Sequence, residues 1–373
     1  MANQKPTPVP PPSTQKFENG ISHPELWLWD SWTAEAEGIT HLYCLALSRI
    51  DSAGDAVIPE NRNDYPFHIR HFSSGDDGRS WTDEGVFFEP SDAGDGAFAR
   101  NVWSGGVLAR NGSEWIAGFT GLRKAGTEQP FLQSICIGRS ENANSLDAGA
   151  IVSLSCPHRD YDLIRAAGYY LPARETLGAY EGEEGGPILA WRDPFILDSG
   201  DRKLEVFWSA KVAPARPAVA HATVRQMADG FQIEKLHPPM TLPDDHAFTQ
   251  AEVPKICRSA AGDYFLMISA CDRLNEAQPA HEVSKVLRLY KSGSIRGPWK
   301  PAYSNGASQI PGTDHLFGAS FLREDSMASQ FHLLAPYSEY ESAGKQLTFA
   351  PVKIIDVPLE TQEFASAAQK QTK

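Results

Sequence analysis

The stretch SGDDGRSW, Ser74 to Trp81, has the composition of a tight turn between two β-strands. An aspartate such as Asp76 can accept hydrogen bonds from the amides of its own turn, and Gly78 can adopt the positive φ that such turns require. Trp81 stands where the next strand begins, so its indole is placed to fill the interior of a sheet. The segment therefore predicts a β-hairpin whose turn is held by its own side chains.

On both sides of this turn the chain is a series of short runs rich in β-branched and aromatic residues, separated by glycine, proline, asparagine and aspartate. Many runs alternate between apolar and polar residues, which is typical of half-buried strands. Helical periodicity is scarce, and the best short helix candidate is His158–Tyr170. The predicted strands include Thr40–Leu47, His68–Ser74, Glu114–Leu122, Ser134–Ser140, Leu204–Val212, Asp263–Cys271, Val286–Ser292, Gln330–Tyr337 and Leu347–Val357.

Many short strands without intervening helices indicate an all-β fold, either a sandwich, a barrel or a propeller. The turn at 74–81 has the form S-x-D-x-G-x-x-W, which is similar to the Asp-box of propeller glycosidases, and it favours a propeller over a sandwich. No linker divides the chain. We therefore predict a single domain over residues 23–360, with a flexible proline-rich leader over residues 1–22 and a tail over residues 361–373.

Composition excludes several classes of function. The chain has 373 residues and 41% hydrophobic content, enough for a large core, and its net charge of −13 argues against nucleic acid or an anionic membrane as a partner. No apolar run approaches the roughly 18 residues that a membrane span needs. The N-terminus lacks the pattern of a secretory signal, so we expect a cytoplasmic protein or a secreted one whose signal is absent from this sequence.

Five scattered cysteines without a CxxC spacing predict neither a disulfide framework nor a structural zinc site.

The segment WLWDSW, Trp27 to Trp32, places three tryptophans around one carboxylate, Asp30. One interpretation is a core segment in which Asp30 is a turn or cap residue. Against it, a carboxylate flanked by indoles is desolvated and needs partners to stay charged. Aromatic faces beside a carboxylate are also a common way to build a sugar site. The segment therefore raises the hypothesis of a carbohydrate site.

Three further motifs set a polar residue among aromatics and turns at the beginning of a strand-like run. NVWSGGVL carries Trp103 and Ser104, AWRDPFIL carries Arg192 and Asp193, and TQAEVPKI carries Glu252. The innermost strands of a propeller begin near its central cavity, so these residues can converge there although they are distant in sequence. The alternatives are a turn hydroxyl, a solvated edge charge and a surface ion pair worth about 0–1 kcal/mol.

The order of these motifs, W-D-S-W, W-S-G, R-D-P and E-x-P, resembles the levansucrase-type fructosyltransferases, glycoside hydrolase family 68. More distantly it resembles the invertase-like and arabinanase-like enzymes, which share a five-bladed β-propeller and three carboxylates. SGDDGRSWTDEGVFF, GSIRGPWKPAY and LTFAPVKIIDV are also similar to segments of the family, so the resemblance runs from about Glu25 to about Val357. It implies that the chain is a five-bladed propeller.

By this resemblance, Asp30 is the nucleophile that attacks the anomeric C2 of a β-fructofuranosyl unit. Glu252 is the general acid that protonates the leaving oxygen and then the base that activates the acceptor. Asp193, steered by Arg192, holds fructosyl hydroxyls and stabilises the transition state. The residues implied to shape the pocket or bind substrate are Trp29, Trp32, Trp103, Ser104, Arg192, Gln250, Arg273 and His315.

Two departures lie on the leaving-group side. Gln250 stands where the family usually has an acidic residue that helps to hold the glucosyl part of sucrose, which weakens sucrose recognition by roughly 1–2 kcal/mol. Thr249 stands where some members have a calcium-binding aspartate, so we predict no metal and no cofactor. Fructosyl transfer from a small or oligomeric β-fructoside, sucrose first, is the prediction.

Two other functions stay open. One is a related propeller glycosidase acting on arabinofuranosides, often with inversion, for which the setting of Asp30 is less suited. The other is a sugar-binding propeller that has lost catalysis, although such a protein would usually lack one of the three carboxylates. The oligomeric state is not predicted.

Overall fold

The computed structural model describes residues 5–92, 96–110, 112–123, 129, 131–179, 187–275, 278–325 and 329–356. Within these residues the strands form five separate antiparallel sheets of three to five strands each. The predicted tail at 361–373 lies outside the described residues, and the domain limits at 23 and 360 stay predictions. The all-β, five-bladed propeller is confirmed, and the sandwich is excluded.

Each sheet is one blade, and blades II to V use consecutive strands in chain order. In blade I the order from the outside is β1, β5, β4, β3, β2. Blade I comprises β1 (Phe17–Glu18), β2 (Leu26–Ala36), β3 (Ile39–Ser48), β4 (His68–Ser74) and β5 (Ser80–Phe88). Blade II comprises β6 (Asn101–Arg110), β7 (Glu114–Leu122), β8 (Gln133–Ser140) and β9 (Ile151–Ser155).

Blade III comprises β10 (Arg192–Gly200), β11 (Lys203–Ala213), β12 (Arg216–Gln226) and β13 (Phe231–Leu236). Blade IV comprises β14 (Gln250–Arg258), β15 (Tyr264–Cys271), β16 (Lys285–Ser292) and β17 (Lys300–Pro301). Blade V comprises β18 (Ser320–Asp325), β19 (Gln330–Leu334) and β20 (Lys353–Asp356). The helical segments are α1 (Tyr161–Ala166) and short 3-10 turns at Pro59–Asp64, Ala148–Ala150, Arg174–Thr176 and Ala280–Glu282.

The predicted strands and the helix candidate coincide with observed elements, with one correction. The run predicted as a strand over Leu347–Val357 forms a strand only at Lys353–Asp356. Residues before it make isolated bridges and turns instead, and Leu347 itself has a positive φ of 50°. Val357 lies outside the described residues. The composition of this segment therefore predicted β-structure, but it did not show which of its residues pair with a neighbouring strand.

The ring is formed by the first strand of each blade. β2 contacts β6, β6 contacts β10, β10 contacts β14, β14 contacts β18, and β18 returns to β2. The ring closes by hydrogen bonds between the two ends of the described chain, with the amides of Ile21 and Phe349 each donating to the carbonyl of the other. The amide of Leu28 also donates to the carbonyl of Leu347, at 2.8 Å. The strand that carries Asp30 is therefore the one at which the ring closes.

Apolar side chains fill the spaces between neighbouring blades rather than one central core. Each of five buried clusters joins two adjacent blades, and together they run around the ring. Trp32 belongs to the cluster between blades I and II and is only 1% exposed, so it packs the core instead of shaping the pocket. The interior of the ring is thus left to the polar residues at the starts of the inner strands.

The hairpin turn of blade I has the predicted form. The amide of Ser80 donates to Asp76 Oδ1 at 2.8 Å, and the Ser80 hydroxyl donates to Oδ2 at 2.5 Å. Gly78 has a φ of +78°, and the Trp81 indole is fully buried between blades I and V. The turn residues therefore act as the sequence predicted.

The described part of the leader packs on the outside of blade I. Phe17 lies in β1 and is buried, so the leader adds the outermost strand of the sheet. The guanidinium of Arg70 on β4 donates to the carbonyls of Pro10 and Pro11, at 2.8 and 2.9 Å. Arg70 also forms a bidentate pair with Asp83 on β5. A charged pair inside the blade thus holds the proline-rich segment.

Among the described residues, no helix combines the length and apolarity required to cross a bilayer.

Candidate active site

The inner strands of blades I to IV each carry a β-bulge at or beside the residue predicted to act in the site. The register shifts lie between Trp29 and Ser31, between Trp103 and Gly105, between Arg192 and Phe195, and between Glu252 and Lys255. A bulge turns the side chain beside it away from the normal alternation of the strand. Four similar irregularities therefore direct side chains from four blades toward one end of the central channel.

These side chains line one pocket. Blade I and its connecting loop supply one wall, blade II supplies Trp103 and Ser104, and blades III and IV supply the remaining carboxylates. Trp29 packs edge-on against Phe67, with ring centroids 4.7 Å apart, so the aromatic wall is rigidly supported. The residues of the pocket include Trp29, Asp30, Arg62, Asn63, Phe67, Trp103, Ser104, Gln133, Ile188, Arg192, Asp193 and Glu252.

Asp30 is held by a hydroxyl from the neighbouring blade. Ser104 Oγ donates to Asp30 Oδ2 at 2.5 Å. Burial raises the pKa of the Asp30 carboxyl above its usual range, the hydrogen bond from Ser104 acts in the opposite direction, and the charge of Glu252 raises it further. The hydrogen bond from Ser104 therefore fixes the orientation of a carboxylate that burial has deprived of most of its hydration.

A chain of hydrogen bonds links this pair to the carboxylate of blade III. Thr120 Oγ1 on β7 donates to the carbonyl of Ser104 at 3.2 Å and accepts from the amide of Asp193 at 2.7 Å. Thr120 is fully buried. Sequence reasoning missed it, and its signal is a hydroxyl within the otherwise apolar run WIAGFTGL. It fixes the relative positions of two bulges in adjacent blades.

Arg192 joins the carboxylates of blades III and IV. Its Nη2 donates to Glu252 Oε1 at 2.9 Å, and its Nε lies 3.7 Å from Asp193 Oδ2. Nη1 donates to the carbonyl of Leu189 at 2.6 Å. The guanidinium thus occupies the space between two acidic groups and fixes their separation.

Gln250 acts behind this arginine. Its Oε1 accepts from Arg192 Nη2 at 3.2 Å, and the side chain is fully buried. The structure therefore places it one layer outside the pocket, where it orients Arg192.

Asp193 is the most deeply buried of the three carboxylates. Burial raises its pKa to about 7, against the lowering effect of Arg192, and the charges of Asp30 and Glu252 raise it as well. Its φ is +63°, and its Oδ2 accepts from the amide of Val253, which also has a positive φ. Two non-glycine residues in the left-handed region mark stored backbone strain at this point.

A second pocket of about 330 Å³ adjoins the first through Glu252 and Arg62. Arg273 lines it, with Nη2 donating to the hydroxyl of Tyr340 at 2.6 Å. Glu339 accepts from Lys285 Nζ at 2.5 Å and from Arg62 at 3.1 Å.

Burial would raise the pKa of Glu339, but Lys285 and Arg62 hold it at about 2. Sequence reasoning found Arg273 but not this ion-paired group, because Arg62, Lys285 and Glu339 come from three separate loops and strand starts.

His315 is placed apart from these groups. Its side chain is 67% exposed, and Nδ1 lies 3.4 Å from Glu341. It does not line the pocket that holds Asp30. The other predicted residues, except Trp32 and the buried Gln250, line one of the two adjoining pockets.

Gly318 allows the close approach of blade V to Asp30. Its φ is +63°, and a Cβ at this position would lie 2.4 Å from Asp30 Oδ1. We expect Gly318→Ala to lower the kcat of a reaction that uses Asp30 by about 100-fold, because displacing a reacting group by about 1 Å can reduce the rate by that factor. Gly306→Ala is the matched control, since Gly306 has a φ of +79° and open space around it, so both variants share the backbone strain of about 1–2 kcal/mol.

Steady-state rates and melting temperatures of the two variants test this. Equal kcat for both variants would show that the contact with Asp30 is not constraining.

A group of potential metal ligands lies elsewhere in blade III, where Glu205, His221 and His237 place ligand atoms within 4.8 Å of one another. His221 Nε2 lies 2.5 Å from Glu205, and His237 Nε2 lies 2.9 Å from Thr223 Oγ1. A metal-bound histidine usually donates its other N–H to an acceptor. Nδ1 of His237 instead faces the guanidinium of Arg296 at 3.3 Å, so the group fits a hydrogen-bond network better than a metal site.

Solved structures similar to this chain include an inulosucrase and levansucrases. An inulosucrase from Halalkalicoccus jeotgali bound to kestose has 16% identity and a TM-score of 0.60, with 96% of this chain and 90% of that chain covered. The Bacillus subtilis levansucrase has 16% identity and a TM-score of 0.64, with 92% and 86% covered. A levansucrase variant complexed with sucrose has 15% identity and a TM-score of 0.63, with 91% and 89% covered.

No protein-family model matches the sequence, and no curated protein matches it. The structural likeness extends over nearly the whole chain and confirms, at the level of the fold, the resemblance to the levansucrase-type five-bladed propellers.

Proposed function

We propose that this protein is a retaining enzyme that transfers the fructosyl unit of a β-fructofuranoside, with sucrose as the first candidate donor, to water or to a sugar hydroxyl. The observation that carries the proposal is the pocket itself. Asp30, Asp193 and Glu252 come from the inner strands of three blades and line one cavity with two indoles. Burying three carboxylates together is costly, which favours a catalytic over a purely structural role.

In the first proposed step, a carboxylate oxygen of Asp30 bonds to C2 of the fructosyl unit while the bond from C2 to the leaving oxygen breaks. Glu252 gives its proton to that oxygen, so the leaving group departs as a neutral alcohol. In the second step, Glu252 takes a proton from water or a sugar hydroxyl, whose oxygen attacks C2 and displaces Asp30. Two displacements at C2 retain its configuration.

The remaining groups support these two steps. Ser104 leaves one oxygen of Asp30 free for attack, because it occupies only the other. In this proposal Asp193, in its ionised form, accepts hydrogen bonds from fructosyl hydroxyls, and positive charge that develops on the ring stabilises that form. Trp29 and Trp103 offer faces for the C–H surface of the sugar.

The adjoining pocket shares Glu252 and is lined by Arg273 and Tyr340, which supports a role in receiving the leaving group or acceptor. Two solved structures of similar fold hold kestose and sucrose, which supports a small sugar as the substrate.

The test is incubation of the purified protein with sucrose and separate measurement of free glucose and free fructose. Glucose in excess of fructose identifies transfer to sugars, and equal amounts identify hydrolysis. We expect Glu252→Gln to lower turnover of sucrose by about 10²–10⁴-fold, because the leaving oxygen is then no longer protonated. NMR of the first product shows whether the configuration at C2 is retained.

Absence of glucose release from sucrose and of fructose release from other β-fructofuranosides would contradict the proposal. An aryl arabinofuranoside tested in parallel would then distinguish the arabinofuranosidase alternative, and sugar binding without turnover would indicate the non-catalytic one.

A further inference from the structure

Lys255 is a buried lysine within the ring of inner strands that the proposed mechanism does not use. It lies on β14, three residues after Glu252 and just beyond the bulge, and it is 2% exposed. Its Nζ donates to the carbonyl of Gly105 on β6 at 3.3 Å and lies 5.6 Å from the centroid of the Phe195 ring on β10. The ammonium thus sits where the inner strands of blades II, III and IV meet.

A lysine in this setting needs compensation for its lost hydration. A single neutral carbonyl does not offset the cost of burying an ammonium ion, which amounts to several kcal/mol. The acidic groups that interact with it are Asp193 on β10 and Asp30 on β2, both of which favour its charged form. Burial nevertheless lowers the pKa of Lys255 to about 8.

Other cations also lie near the site, and Arg192, 3.7 Å from Asp193, lowers the pKa of that carboxyl. Lys211 on β11 faces Arg192 and Glu252, and its Nζ donates to the carbonyl of Pro214 at 2.9 Å. Lys285 on β16 is ion-paired with Glu339 and also acts on Asp30. Glu252, on the same strand as Lys255, is paired with Arg192. Of these cations, Lys255 is therefore the one whose charge acts on both Asp30 and Asp193.

We propose that Lys255 is a positioning residue of the proposed active site, whose buried ammonium keeps Asp30 and Asp193 ionised through space without contacting the substrate. This inference rests on the proposed function. The effect operates because charges interact more strongly where protein rather than water separates them. The titrations of the three groups are consequently coupled.

The test compares the acid limbs of the pH profiles of kcat/KM for sucrose. Lys255→Met removes the charge and keeps the length of the side chain, and Lys255→Arg keeps the charge. We expect the acid limb of Lys255→Met to move upward by up to about 1 pH unit, because removing a nearby opposite charge raises a carboxyl pKa. The limb of Lys255→Arg is expected to stay near that of the parent protein.

Lys291→Met is the matched control, since Lys291 is a lysine of β16 paired with Asp263 and lies outside the pockets that contain Glu252. Its acid limb is expected not to move. A role in packing alone would change the stability of Lys255→Met but leave its acid limb in place. A folded Lys255→Met protein with an unchanged limb overturns the proposal.

A second measurement does not need activity or the Met variant. The pKa of Lys255 is followed by NMR in protein labelled with ¹³C-lysine, with the resonance assigned through Lys255→Arg. In Asp30→Asn we expect this pKa to fall, because the carboxylate that supports the ammonium is gone. An unchanged pKa overturns the proposal even if sucrose is not the substrate, so its failure is distinguishable from failure of the proposed function.

Discussion

Replacing Asp30 with asparagine is expected to lower kcat for sucrose cleavage by about 10⁴-fold or more, because a carboxamide oxygen does not form the fructosyl ester. The substitution is nearly isosteric, and Ser104 can still donate to the amide oxygen that replaces Oδ2. The melting temperature is expected to stay the same or rise. Burial raises the pKa of Asp30, so its ionised form costs stability at neutral pH, and the neutral amide removes that cost.

Two measurements check this expectation. Peptide mapping of parent enzyme quenched with acid during turnover should find one fructosyl unit on the peptide that contains Asp30, and none in Asp30→Asn. Asp55→Asn is the matched control, because Asp55 is exposed on blade I and outside the pocket. Sucrose turnover by Asp30→Asn at the rate of Asp55→Asn would refute the role of Asp30.

Replacing Asp83 with asparagine is expected to reduce the free energy of unfolding by about 3–5 kcal/mol, because it leaves the Arg70 guanidinium charged and uncompensated inside blade I. The two side chains are both 0% exposed and are joined by hydrogen bonds of 2.7 and 2.8 Å. Asp83 also accepts from the amide of Ser13 at 2.7 Å, so the variant loses a contact to the leader as well. Urea unfolding gives the comparison.

Asp198→Asn provides the control for this substitution. Asp198 pairs with Arg110 at 2.8 Å but is partly exposed, so the expected loss is at most about 1 kcal/mol.

The pH dependence of the Asp83 effect has a definite sign. Burial alone would raise the pKa of Asp83, but hydrogen bonds from His23, Arg70 and Ser13 hold it well below its usual range. The contribution of Asp83 is therefore fully present above the unfolded pKa of about 4 and declines as the pH falls below it. The stabilities of the parent protein and of Asp83→Asn are expected to converge in acid. A difference that grows there would contradict the assignment.

Local chemistry was sufficient to predict an all-β fold with a propeller-like turn, and it indicated that the polar residues of the inner strands can converge. The turn around Asp76 depends on hydrogen bonds between Asp76 and Ser80, four positions apart, so its form can be read directly from the sequence. Asp193 and Glu252 stand near the beginning of an inner strand and Asp30 lies within one, and strand order in a propeller then brings them together. The number of blades came from the resemblance to known enzymes, since nothing in strand length or spacing specifies five.

The remaining features depend on contacts between distant segments. Thr120 is one hydroxyl in an apolar strand, and only the meeting of two bulges makes it a link in the site. Gln250 and His315 were assigned to substrate by position in a motif, but one is buried behind Arg192 and the other faces outward. The partner of Lys255 comes from another blade, so its sequence context shows only a lysine in a strand.

The closure of the ring affects when the proposed active site can form during synthesis of the chain. Asp30 is synthesised long before Leu347 and Gly318, yet its strand is completed by the hydrogen bond from the Leu28 amide to the Leu347 carbonyl and by the close approach of Gly318. Blades I to IV can therefore assemble on the nascent chain while the proposed nucleophile still lacks its last neighbours. Asp30 is thus synthesised before Asp193 and Glu252 but acquires its final contacts after them.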